Sequence, residues 1–233
     1  MTKSRIDITF DFRTDANGGD PDKTSPTLRR YHKLLWSKSL PNGKLFELNC
    51  NLPNRYLYHC SEVGEFVLTS DSVLPTFTRR KSCEHVIGPK ENDEYFDYIT
   101  YTIGGMMIFP GNKIDGLMTI NGARGFNRKI GDRFDLTLEC IRRFYLDEES
   151  PLYSVLQRYG SFFGLFGDFT GYVDFFFLQD LVIAGGSEIR FFAPFDDFNT
   201  SALPDSPESY SLFRSRTIEF VKGRNKRIAD LHG

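Results

Sequence analysis

Apolar positions change their period along this chain, and each change marks an element. From Arg5 to Phe12, Ile6, Ile8, Phe10 and Phe12 alternate with Asp7, Thr9 and Asp11, which predicts a strand with one buried face. Thr14 to Pro26 is polar and turn-rich. Leu28, Tyr31 and Leu35 then recur at helical spacing behind Ser25-Pro26, a helix start with proline at the first position. Leu45–Leu48, Arg55–Cys60 and Glu65–Thr69 are short β-prone runs split by turns and predict a meander. Val73–Thr78 predicts an edge strand because of Pro75. Tyr95–Thr102 reads as a strand leading into apolar Ile103–Phe109, and Leu117–Ile120 as a short partner strand.

Helical spacing returns at Phe134, Leu138, Ile141 and Tyr145, with Asp132 as the expected N-cap. Ser150-Pro151 starts another helix. Phe169–Ile183 is apolar nearly all round and predicts a central buried helix. Glu188–Phe195 reads as a strand. Ser206-Pro207 starts a final helix over 206–231, basic and exposed, with Gly223 ending or weakening it. Turns are spread evenly and no repeat occurs. The expectation is one α+β domain over 1–233, a mainly antiparallel sheet packed against several helices.

Composition narrows the class. Hydrophobic residues make up 40% and charged residues 26%, the balance of a globular chain. The 23 phenylalanines imply a core of packed rings. With a net charge of −2, attraction to nucleic acid must come from local patches. No stretch is long and apolar enough to span a bilayer, so no membrane association is expected. Cys50, Cys60, Cys83 and Cys140 form no CxxC pair and no signal-peptide pattern occurs, which points to a cytoplasmic protein with reduced thiols. Cys83-Glu84-His85 and His59-Cys60 lack zinc-finger spacing, so they carry no metal assignment.

The candidate chemistry centres on Thr102–Tyr145. Lys113, Arg124, Arg128, Lys129 and Arg133 crowd around Asn121-Gly122-Ala123-Arg124-Gly125 and the helix start that follows. Glycines let backbone approach a ligand, a helix N-terminus attracts anions, and arginine presents a planar fork to phosphate. The leading expectation is therefore a site for a phosphate-bearing ligand, nucleotide or nucleic acid, built from Lys113, Asn121, Arg124, Gly125, Arg128, Lys129 and Arg133. The competing reading is that these cations pair with acids. The second class is an enzyme acting on such a ligand, with Asp132, Asp135, Glu139 and Asp174 supplying acid–base work or holding Mg²⁺. Asp174, inside an apolar run, is expected to pair with Arg124 or Arg133. A third class is a partner-protein-binding module. Lys23–Lys44 adds a second basic stretch, with Arg29, Arg30, Lys33, Lys38 and no acid, interleaved with Tyr31 and Trp36.

Five runs, SPTLRRYHKLLWSK, TINGARGF, DRFDLTLECIRRFY, GYVDFFFLQDLV and FFAPFDDF, touch most of the chain from Ser25 to Phe198. They resemble a family of bacterial proteins of about this length whose function is unassigned. The resemblance implies a bacterial source and brings no catalytic residue with it.

Overall fold

The computed structural model describes residues 6–53, 55–73, 83, 86 and 94–232. Helices α1 (Pro21–Thr24) and α2 (Pro26–Trp36) meet at Ser25, whose Oγ accepts from the Leu28 amide at 3.1 Å. Asp15 reinforces that start, accepting from Ser25 Oγ and from the Thr27 amide. A short hairpin, β1 (Lys38–Ser39) and β2 (Leu45–Phe46), follows.

The main sheet is antiparallel, in the order β3 (Leu57–Ser61), β4 (Gly64–Ser72), β5 (Met106–Pro110). Its register leaves one flank of β4 open. β3 begins opposite Leu68, while β4 continues to Ser72 paired with β5 alone. Among the described residues, Thr69–Ser72 therefore have no strand on the β3 side, and that open flank is where a cleft forms.

Helices surround the sheet: α3 (Glu94–Thr100), α4 (Ile120–Phe126), α5 (Phe134–Tyr145), α6 (Tyr153–Arg158), α7 (Gly160–Gly164), α8 (Phe169–Phe175) and the long α9 (Pro207–His232), with a small hairpin of β6 (Val182–Ile183) and β7 (Glu188–Ile189). The result is a single α+β domain. Its core is aromatic. Trp36 is fully buried, with its ring 5.1 Å from Phe176 and 5.6 Å from Phe177. Phe166 packs on Tyr172, Phe175 and Phe176. The final helix is part of this core. Phe220, Val221 and Ile228 are buried, and the fully buried Arg224 donates to the carbonyls of Phe176, Gly104 and Met106. A Cβ on Gly104 would lie 2.5 Å from the Val221 carbonyl, so this close approach requires glycine.

Several elements differ from their sequence patterns. Residues 6–12 form turns: Asp7 Oδ1 accepts from both the amide and the hydroxyl of Thr9 and closes the chain locally. Glu94–Thr100 is helical, with Phe96, Ile99 and Thr100 buried at helical spacing. Leu117–Ile120 is no strand; Thr119 instead caps α4, accepting from Gly122 N, so Gly122 and Gly125 lie within a helix. Asp132 adopts a positive φ of 62°, and Arg133 takes the N-cap position without a side-chain cap. The apolar run from Phe169 stops at Phe175, because Phe177 turns to φ 57°. Arg224 lies in the interior rather than on an exposed basic face, and α9 runs through Gly223 unbroken. The strand expected at Val73–Thr78 falls largely outside the described residues.

Candidate functional site

Two of the cations expected to gather around an anion, Arg124 and Arg133, are held by carboxylates instead. Arg124 is fully buried: Nη1 donates to Asp71 Oδ2 at 2.5 Å and to Ser72 O, Nη2 to Asp132 O, and Nε to Thr137 Oγ1, with Asp132 Oδ1 3.6 Å from Nε. Arg133 makes a bidentate pair with Asp135, at 3.1 and 2.5 Å, and donates to Ala202 O and Ala193 O. Asp135 also accepts from the Phe192 amide. Glu139 takes Arg142 and Arg143. A guanidinium or carboxylate brought into the interior must be paired, and Asp71, Asp132 and Asp135 supply the opposite charges for Arg124 and Arg133. Lys113, Arg128 and Lys129 are exposed. Asp174 is exposed too, accepting from Gln179 rather than from Arg124 or Arg133. Gly125 sits in α4 beside Asp132. Among the described residues, no group of three or more His, Cys, Asp or Glu side chains suits a metal ion, so Asp132, Asp135 and Glu139 do not form the Mg²⁺ set that their spacing suggested.

One member of the expected set, Asn121, lies elsewhere. With Asp20, Asp22, Lys23, Arg29, Leu52, Arg55, Tyr56, Thr69, Ser70 and Asp71, it lines a cleft of about 440 Å³ on the open flank of β4. That volume falls in the range of small-molecule sites, about 300–1,000 Å³. The Asn121 amide donates through Nδ2 to Thr69 Oγ1 and to the Ser70 carbonyl. A carbonyl can only accept, so the orientation of this amide is set, and Oδ1 is left as an acceptor.

Behind the cleft wall runs a directed chain of hydrogen bonds. Trp36 Nε1 donates to His32 Nδ1 at 3.0 Å, and an indole nitrogen can only donate. Burial, and then the charge of Arg224, push the His32 pKa down to about 3, so the ring is neutral with its proton on Nε2. Nε2 donates to Ser70 Oγ at 2.9 Å. The chain ends at Ser70, whose hydroxyl acts to lower the pKa of Asp22 against the effect of burial.

Four polar atoms of the cleft residues are screened from bulk solvent and have no hydrogen-bond partner among the described residues: Asp22 Oδ1, Arg29 Nε, Tyr56 Oη and Asn121 Oδ1. They come from α1, α2, the segment before β3 and α4. Arg29 lies over the Tyr56 ring, 4.7 Å from its centroid, and has no carboxylate partner among the described residues. Among the described residues, Lys23 and Arg55 make only exposed pairs, with Asp20 and Glu65. Burial, and then the neighbouring Asp71, push Asp22 up to about 7; burial pushes Asp71 up to about 6, against the pull of Arg124. Burial and the Asp22 charge also raise Tyr56.

The sequence reading missed Asp20, Asp22, Tyr56, Ser70 and Asp71. It placed the first two in a polar loop, and nothing local joins them to β4. The His32–Trp36 spacing of four, and Lys23 and Arg29 within the basic stretch, were the available signals. Tyr31 and Trp36 themselves are buried, not presented for stacking.

The chain belongs to a family of unknown function, DUF6994, whose sequence model matches residues 6–228. No curated protein and no solved structure matches it. No helix among the described residues is long and apolar enough to cross a membrane.

Proposed function

We propose, for a member of a family without an assigned activity, that the cleft on the β4 flank binds a phosphate-bearing small ligand of nucleotide size. The observation that carries this reading is the convergence of four unpartnered polar atoms on one cleft. Buried polar atoms are almost always partnered, and a cluster of exceptions is best satisfied by a ligand. Arg29 offers a guanidinium with no acid partner among the described residues, the group suited to phosphate, with Lys23 and Arg55 at the same cleft. Asp22 Oδ1 and Asn121 Oδ1 offer acceptors to the ligand's N–H or O–H groups. A small ligand is favoured over a nucleic-acid strand because the aromatic rings of the basic stretch face the core. The setting proposed is the bacterial cytoplasm, and the free thiols support a reducing compartment.

Titration calorimetry against nucleoside mono- and diphosphates, sugar phosphates and inorganic phosphate tests the reading. Arg29→Ala is expected to weaken binding by roughly 10- to 100-fold, the worth of one charge-assisted hydrogen bond. Arg128→Ala is expected to bind as the wild type does. Absence of binding across the set, or full affinity in Arg29→Ala, refutes the assignment. Loss of affinity in Arg128→Ala alone returns the site to the 124–133 corner.

A further inference from the structure

We propose that the protein carries a second ligand site, separate from the β4 cleft, that takes a free α-amino acid with a small side chain. The site is a cavity of about 150 Å³ lined by α9, the turn Gln179–Leu181 and the segment after β7. Its apolar lining, Leu181, Phe192 and Phe220, is buried and forms the floor. The rest of the lining is charged and more open to solvent: two acids, Asp180 and Glu219, and two guanidinium groups, Arg190 and Arg216.

Asp180 is anchored through one oxygen and open at the other. Oδ1 accepts from Arg227 Nη2 at 2.9 Å, while Oδ2 is screened from bulk solvent and has no hydrogen-bond partner among the described residues. Gly223 makes this placement possible. A Cβ there would lie 2.9 Å from Oδ2 and 3.2 Å from Cγ, so a larger residue would push the carboxylate aside. Glycine is a poor residue for a helix interior, yet α9 runs through it at the point where the cavity lies. Arg216 is anchored in the same partial way. Nη1 donates to the Phe191 carbonyl at 2.7 Å, and neither Arg216 nor Arg190 forms an ion pair among the described residues.

Charge and size select the ligand class. A buried oxygen without a partner calls for an N–H or O–H donor. Guanidinium groups without an acid suit a carboxylate. An occupant of one sign would face like charges: an anion would meet Asp180 and Glu219, and a cation would meet Arg190 and Arg216. A zwitterion meets a partner at each end. The cavity is smaller than the roughly 300 Å³ at which sites for drug-sized ligands begin, which excludes a nucleotide and leaves room for a short side chain on the apolar floor. The ammonium then lies at Asp180 Oδ2, the carboxylate at Arg190 and Arg216, and the side chain over Phe192 and Phe220.

The test is titration calorimetry on the full chain with glycine, L-alanine, L-serine and L-valine, and with the N-acetyl and amide derivatives of each. At least one free amino acid is expected to bind with a Kd of about 1 mM or tighter. Its N-acetyl form, which lacks the ammonium, and its amide, which lacks the carboxylate, are each expected to bind at least about 10-fold more weakly. Asp180→Asn and Arg190→Ala are expected to weaken binding by roughly 10-fold each. Arg190 is exposed, so its variant keeps the fold and decides the matter should Asp180→Asn unfold. Arg29→Ala, in the β4 cleft, is expected to bind the amino acid as the wild type does. The proposal is overturned by no binding of any of the four at about 10 mM, by equal affinity for an amino acid and both its derivatives, or by full affinity in a folded Asp180→Asn or in Arg190→Ala. Loss of binding in Arg29→Ala also overturns it, since the amino acid would then occupy the other cleft.

Discussion

Asp22 should cost this protein stability, and by an amount that depends on pH. Its carboxyl rises from an ordinary 3.8 to about 7 on folding, through burial first and Asp71 second. Between those values the unfolded chain has released the proton and the folded chain retains it. Stability from this group is therefore complete below about pH 4, declines as pH rises, and is lost above about pH 7. Three pH units at roughly 1.4 kcal/mol each set a ceiling on the order of 4 kcal/mol. Water entering an open cleft reduces this, and about 2 kcal/mol is the working figure. Asp22→Asn removes the titration and keeps an acceptor for Ser70. At about pH 8 the variant should melt higher than wild type by roughly 4–8 °C, taking about 2–4 °C per kcal/mol for a domain of this size. At about pH 4.5 most of the gap should close. Differential scanning fluorimetry across that range reads the result directly. A gap of equal size at both ends, or a variant less stable at pH 8, would show that Asp22 is not an ionised burden on the folded state, and the argument would fail.

Arg124→Met should lose about 3–5 kcal/mol in urea unfolding, since it leaves Asp71 and Asp132 facing each other without the buried guanidinium. Arg128→Ala, at an exposed position, should stay within about 0.5 kcal/mol; equal losses in the two variants would contradict the pairing described. Gly105→Ala should destabilise by at least about 1–3 kcal/mol, because its Cβ would lie 2.1 Å from the Thr100 carbonyl. Gly164→Ala meets nothing within 4 Å and should be neutral or slightly stabilising under the same denaturation assay.

Local chemistry was legible where it alone decides the structure. Ser25-Pro26 and Ser206-Pro207 mark the starts of α2 and α9, and the spacing Phe134, Leu138, Ile141 marks α5. The β-prone runs before Ser72 became β2, β3 and β4. Where tertiary contacts decide, the pattern misled. The aromatic and β-branched residues of Glu94–Thr100 have the composition of a strand, yet burial of Phe96 and Ile99 against the C-terminal helix makes them a helix. The alternation of residues 6–12 lost to side-chain turns at Asp7 and Asp11. At the basic corner, cation density was read correctly as a need for negative charge. Asp71, more than fifty residues upstream, meets that need for Arg124, and nothing near the corner indicates it. The cleft was illegible for the same reason: Asp22 and Ser70 meet only because α1 is laid on the unpaired flank of β4.

The treatment of carboxylates supports the proposal that places function on that flank. Asp135 and Glu139, both buried, each receive a guanidinium, and Arg133, Arg142 and Arg143 are consumed in supplying them. Asp22 receives no guanidinium among the described residues, while Arg29, on the next helix, lies over a tyrosine ring without an acid among them. A rearrangement pairing the two would raise stability, because it would remove an elevated pKa and satisfy an orphaned N–H together. The fold keeps them apart within one cleft, the pattern expected where selection favours chemistry over stability. The hydrogen-bond chain sharpens the point. Trp36, His32 and Ser70 are ordered in one direction behind the cleft wall, and Asp22 Oδ1 is left without a partner among the described residues.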